Sequence, residues 1–131
     1  MLKIYTTVQK HYNNSDVGVM MFSNDDLCFQ SAFKVVNTEE AEGHLFGIKR
    51  ALSYIKNIRP TYKLENIEFV FKSDEKRWID LRIREDRYIR NVKHLLNVNI
   101  SIKEPTTEDY KKLKLTEQQY LLQSKNNNEG R

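Results

Sequence analysis

The apolar residues of this chain change their spacing partway along it, and that change limits the fold more than any other feature. Leu2, Ile4, Thr6 and Val8 alternate with Lys3, Tyr5 and Thr7, a period of two that predicts a strand over Leu2 to Val8. Val17 to Phe22 and Leu27 to Val36 are further runs of strand length. They are bounded by the turn chemistry of Asn13-Asn14-Ser15-Asp16 and Ser23-Asn24-Asp25-Asp26. From Thr38 the period lengthens, and Ala41, Leu45, Ile48, Leu52 and Ile55 form one helical stripe to Ile55. Three turn-linked strands followed by an amphipathic helix exclude both an all-helical bundle and an all-β meander.

Local chemistry supports that helix at both ends. Thr38 is placed as its N-cap; Glu39, Glu40 and Glu42 fall in the first turn, and Lys49, Arg50 and Lys56 lie toward the end, matching the helix dipole. Pro60 forbids continuation. Ile67 to Phe71 predicts a fourth strand, with Ser73-Asp74 able to cap the next helix. Trp78, Ile79, Leu81 and Ile83, then Tyr88, Ile89, Val92, Leu95 and Leu96, give one helix or two around the polar Arg84-Glu85-Asp86-Arg87. Val98, Ile100 and Ile102 alternate in a fifth strand that stops at Pro105, and Thr107 and Thr116 offer caps for one or two C-terminal helical pieces. This order is α/β, a five-stranded mixed sheet of three antiparallel strands and then αβ crossovers, flanked by helices.

At 131 residues and 39% hydrophobic content the chain suits one domain, placed at residues 1–122, with a polar tail over 123–131 expected to be disordered. No apolar run approaches the roughly 20 residues of a membrane span. The single cysteine, Cys28, is read as a buried inert thiol. Together with a start that lacks a secretory signal, it implies a reducing, cytoplasmic setting. Four glycines and no Cys/His zinc spacing exclude a phosphate loop and a structural zinc site. The formal net charge of +4 favours a polyanionic partner. Lys76, Arg77, Arg82, Arg84, Arg87, Arg90 and Lys93 concentrate it, as either a phosphate-contacting face or a charge-laced solvent face. His44, four residues after Glu40, is read as a hydrogen-bonded or surface histidine.

The element order, with Asn37, Glu40, Gly43, Gly47 and Ile48 in the first helix and Phe69, Phe71 and Ser73-Asp74-Glu75 at the fourth strand, resembles the ribonuclease H-like superfamily. The resemblance implies metal-binding carboxylates at Glu40 and Asp74, with Glu42 of Ala41-Glu42 as the second frame for the glutamate. It puts Thr7 where the first strand should supply an aspartate, and the last carboxylate near Leu113, with Asp109 or Glu108 available to complete the site. Mg²⁺ or Mn²⁺ would then be weakly held, because one bridging carboxylate is gone. The implied nucleic-acid-binding residues are Lys76, Arg77, Arg82, Arg84, Arg87 and Arg90. The expected function is a degenerate ribonuclease H-type domain, catalytically impaired, that binds nucleic acid or a protein partner. The alternatives are an active nuclease cleaving RNA in RNA/DNA hybrids, and an interaction module that binds no nucleic acid.

Overall fold

The computed structural model describes residues 1–58, 64 and 66–129, with side-chain surroundings as far as Gln119. Strands β1 (Leu2–His11), β2 (Asn14–Ser23) and β3 (Asp26–Val35) form an antiparallel meander. β1 and β2 are longer than the sequence spacing predicts, because the turns are shorter, and β3 has the predicted length shifted by one residue. Asn24 and Asp25 have φ of 49° and 72°, the paired left-handed geometry of a two-residue hairpin turn. At the other turn Tyr12 takes φ 59°, so Asn14, Ser15 and Asp16 join β2 instead of turning the chain.

Helix α1 (Glu40–Ile58) comes next, then β4 (Asn66–Val70), α2 (Lys76–Glu85), α3 (Arg87–Leu96), β5 (Asn99–Lys103) and α4 (Thr107–Glu129). Strands β4 and β5 run parallel to β1, giving the sheet order β3-β2-β1-β4-β5. Pro60, where the sequence requires α1 to stop, lies outside the described residues. Helix α4 is a single helix whose backbone continues past residue 122.

The alternation of β1 sorts its side chains to two faces. Leu2 and Ile4 join Val17, Val19, Ile48, Leu52, Phe69, Phe71 and Ile79 in the larger core under α1, α2 and α3, while Tyr5 joins Met20, Phe22, Val70 and Leu113 under α4. Two glycines let helices close on the sheet. A Cβ at Gly18 would lie 2.4 Å from the Thr116 carbonyl of α4, and one at Gly43 would lie 2.9 Å from Val8 Cγ2.

Thr38 does not cap α1 as expected. Its hydroxyl lies 3.0 Å from Ser15 Oγ and 3.2 Å from the Val35 carbonyl, fastening the approach to the helix onto β2. Glu42 reaches back instead, accepting from the Glu39 N–H at 3.4 Å. The segment 76–96 is two helices because Asp86 interrupts it: extended in backbone, it accepts from the Ile89 N–H at 3.0 Å and thereby caps α3. Partial burial pushes the Asp86 carboxyl up, but hydrogen bonds from Lys49 and the Ile89 N–H outweigh it and hold the group below its ordinary value. Asp86→Ala is expected to lower stability by about 1 kcal/mol, the usual cost of a lost N-cap, read as a shifted urea midpoint at unchanged slope.

Cys28 is exposed, not buried as its apolar neighbours suggested, because β3 is an edge strand with much of its surface in solvent.

Candidate functional site: a gap at the strand ends and a basic groove

The pairing of β1 with β4 ends at Tyr5–Val70, while β1 continues to His11 against β2 alone. Where β4 stops, a gap of about 310 Å³ opens between α1 and α4. In open α/β sheets this position, beyond the carboxyl end of a parallel strand, is where ligands bind. Thr6, Thr7 and Val8 form its floor, His44 comes from α1 and Lys72 from the chain leaving β4. Helix α4 supplies Tyr110, Leu113, Lys114 and Glu117.

His44 is fully enclosed there. Its Nδ1 lies 2.8 Å from Thr6 Oγ1, its Nε2 lies 3.2 Å from Glu40 Oε1, and its ring stacks on Phe71 with centroids 4.7 Å apart. Nδ1 shares a hydrogen bond with the Thr6 hydroxyl, and because a carboxylate only accepts, Nε2 donates to Glu40. This hydrogen bond from His44, joined by one from the Ser73 hydroxyl, holds the Glu40 carboxyl below its ordinary value against partial burial. Both ring nitrogens are therefore occupied within the protein.

Of the carboxylates named from sequence, Glu40 and Asp74 come to the same loop, while Asp109 and Glu108 belong to the start of α4. Glu40, whose side chain is 43% exposed, is tied to His44 and to Ser73, which brings the start of α1 to the β4–α2 loop. Asp74 is exposed in that loop, next to Ser73, whose hydroxyl accepts from the Glu75 N–H at 3.1 Å. Asp109 is buried beneath the start of α4, outside the lining of the gap. It accepts from the Tyr5 hydroxyl at 2.7 Å, the Thr106 N–H at 2.9 Å and Lys3 Nζ at 3.2 Å. Its chemistry is that of an anchor joining α4 to β1. Glu108 is exposed and pairs with Lys111, whereas Leu113, the position the resemblance marks for the last carboxylate, does face the gap. Glu117, the one carboxylate that lines the gap among the described residues, accepts from Gln9 Nε2 at 2.7 Å.

Lys72 and Lys114 escaped the sequence reading, and His44, read there as a hydrogen-bonded or surface histidine, is hydrogen-bonded and buried. Lys72 continues the alternation of Glu68 and Val70 and so falls on the α4 side. His44 sits at helical spacing between Ala41 and Ile48, which marks it as a residue of the buried stripe. Lys114 carries no local signal, because only the docking of α4 brings it to β1.

A second concavity, about 1410 Å³, runs between the α2–α3 arm and β5. Of the six cations expected to contact nucleic acid, Lys76, Arg77, Arg84, Arg87 and Arg90 line it. Arg82 turns away with its guanidinium over Trp78, 5.1 Å from the ring centroid. With Lys93, six lysines and arginines face the two carboxylates Asp80 and Glu85, an excess as large as the formal charge of +4 of the whole chain. Lys76 pairs with Glu104 and Arg84 with Asp80; Arg77, Arg87, Arg90 and Lys93 have no ion-pair partner among the described residues. Lys76, at one end of the groove, has its Nζ 5.7 Å from the centroid of the Phe71 ring on which His44 stacks.

Neither a protein-family model nor a curated protein sequence matches the chain. Solved structures do. Ribonuclease H1 from the archaeon Halobacterium salinarum superposes with a TM-score of 0.58 over 88% of this chain and 92% of its own, at 15% identity. LC11-ribonuclease H1 in complex with an RNA/DNA hybrid gives 0.62 over 82% and 87%, at 15% identity. A foamy viral protease-reverse transcriptase in complex with double-stranded DNA gives 0.57 over 89% and 90%, at 14% identity.

The chain has the ribonuclease H-like fold. Within it, the residues at the strand ends do not suit the divalent metals that ribonuclease H chemistry implies. Mg²⁺ and Mn²⁺ take oxygen ligands, chiefly carboxylates. The gap of this ribonuclease H-like domain presents two lysines, and its carboxylate is engaged by a glutamine. Among the described residues no group of three or more His, Cys, Asp or Glu is placed to hold a metal ion.

Proposed function

We propose that this ribonuclease H-like domain binds nucleic acid through its phosphate backbone and does not hydrolyse it by a metal-dependent route. The observation that carries the second half is the replacement of acidic chemistry at the strand ends by Lys72, Lys114 and a closed Thr6–His44–Glu40 relay. Two-metal hydrolysis needs carboxylates to fix both ions, and ammonium groups in the same gap repel them. The first half rests on the groove, where four cations with no ion-pair partner among the described residues line the α2–α3 arm. Phosphate contacts supply most of the sequence-independent affinity for nucleic acid. Two of the similar structures are complexes, one with an RNA/DNA hybrid and one with DNA.

Incubating the purified chain with a labelled RNA/DNA hybrid and Mg²⁺ or Mn²⁺ tests this reading. The hybrid is expected to be retained by the protein and recovered intact even with protein in molar excess. Cleavage that disappears in Glu40→Gln or Asp74→Asn would establish a working nuclease instead.

The groove also supports a second reading, a protein partner. Its floor is apolar, with Ile83, Ile89, Ile100 and Ile102, and it adjoins β5, an edge strand of the sheet. An extended acidic peptide could pair with that edge by strand addition. Saturable binding of such a peptide, together with no nucleic-acid binding at low salt, would select this reading.

A further inference from the structure

The lysines that disqualify the gap as a metal site give it a different ligand chemistry. Lys72 approaches from the end of β4 and Lys114 from α4, and both line a gap of about 310 Å³. Neither has an ion-pair partner among the described residues, although eight ion pairs are formed elsewhere in them. Thr7 and Tyr110 line the same space, and their hydroxyls make no hydrogen bond to another described side chain or backbone group. His44 contributes a wall but no free donor, since Thr6 and Glu40 take both nitrogens. Glu117 is held by Gln9.

Two lysines and two hydroxyl-bearing residues that line one gap from three elements offer a donor set that a tetrahedral oxyanion satisfies. A cation would find one pre-engaged acceptor and two like charges. At the small end of ligand cavities, the volume suits a phosphoryl group more than a whole nucleotide.

We propose that the gap is a phosphate-binding site in which Lys72 and Lys114 hold a phosphoryl group of nucleic acid directly, occupying the space where a metal-dependent nuclease would place its ions. The proposal deepens the nucleic-acid reading, since it takes the same ligand to lie along the groove and to seat one phosphate at the strand ends. Lys76 lines the groove and has its ammonium 5.7 Å from the Phe71 ring that backs His44, so one Phe71 ring separates the groove from the histidine of the gap. Lysine serves here as a point charge for a phosphate whose orientation the hydroxyls complete.

Titration of the full chain with inorganic phosphate, monitored by the backbone amide NMR signals of Thr7, Lys72 and Leu113, tests the site. These signals are expected to shift saturably. In Lys72→Ala/Lys114→Ala the apparent affinity is expected to fall at least tenfold, while Lys72→Arg/Lys114→Arg restores it and Lys34→Ala, on the edge strand β3, leaves it unchanged. Both lysines are exposed, so the double variant should fold, and an unchanged thermal midpoint checks this. Shifts that do not saturate, that persist in the double alanine variant, or that respond to Mg²⁺ in place of phosphate overturn the proposal. A short single-stranded oligonucleotide with a 5′-phosphate, compared with its 5′-hydroxyl form and with free phosphate, separates the sources. Displacement of phosphate by either oligonucleotide supports the nucleic-acid assignment. Saturable phosphate binding that no oligonucleotide displaces overturns that assignment for the gap, while alanine variants of the groove cations judge the wider reading on their own.

Discussion

Replacing Arg77, Arg87, Arg90 and Lys93 together by alanine is expected to weaken binding of an RNA/DNA hybrid by about a hundredfold near 50 mM salt, since the phosphate term is largest at low salt. All four line the groove, are exposed, and lack ion-pair partners among the described residues, so their charges are available to an incoming backbone. Each phosphate contact contributes about 0.9 to the slope of log affinity against log salt, so losing four should flatten that slope by about three to four. Fluorescence anisotropy at several salt concentrations measures both quantities. The change should leave stability nearly untouched, because exposed substitutions away from pairs and caps usually shift it by less than about 0.5 kcal/mol each. A matching change of Arg82, which faces Trp78 and not the groove, should have a much smaller effect.

The largest loss of stability is expected from Asp109→Ala, at about 3 kcal/mol near neutral pH, or roughly 10 °C in thermal midpoint. The carboxylate is 4% exposed and gathers the Tyr5 hydroxyl, the Thr106 N–H and Lys3, tying the start of α4 to β1. Removing it leaves the buried Tyr5 hydroxyl without its acceptor, beyond the lost bonds themselves. Burial alone would raise the Asp109 carboxyl, but the Thr106 N–H, the Tyr5 hydroxyl and Lys3 more than offset it and push the group down to about 2. A carboxyl depressed on folding stabilises the folded state above its unfolded value near 4, and that contribution disappears as pH falls from about 4 toward 2. The charge-dependent share is about 2 kcal/mol. Urea unfolding at pH 7 and at pH 3 should therefore show a deficit in Asp109→Ala that shrinks with acidification. A deficit independent of pH would mean that packing, not the carboxylate, holds α4 in place.

The architecture was readable from the chain because both periodicities are strong. Leu2 to Val8 and the 41–55 stripe each commit to one element, and turn chemistry joins the first three strands. The site was less readable, for a physical reason. Its residues come from the ends of β1 and β4, the second turn of α1 and a face of α4 set by the contact at Gly18, and no linear spacing encodes that convergence. A motif drew attention to Glu40, yet His44, one turn further along the same face, is the side chain enclosed at the gap. Thr7 was noticed for the aspartate it lacks. Its neighbour Thr6 makes the contact with His44, since alternation sends Thr6 to the α1 side and Thr7 toward α4. Asp109 was offered as a carboxylate to complete the site that the resemblance implies, and only the fold places Tyr5 and Lys3 against it. The arginine run could not be told from a solvated face until α2 and α3 were seen to wall a groove along β5.

The central claim is metal-independent binding of nucleic acid by its phosphates, and anisotropy of a labelled RNA/DNA hybrid in EDTA across a range of salt concentrations tests it most directly. Saturable binding in EDTA, with log affinity falling linearly against log salt and a slope reduced in the groove variant, is the predicted result; no binding in EDTA at the lowest salt would contradict it.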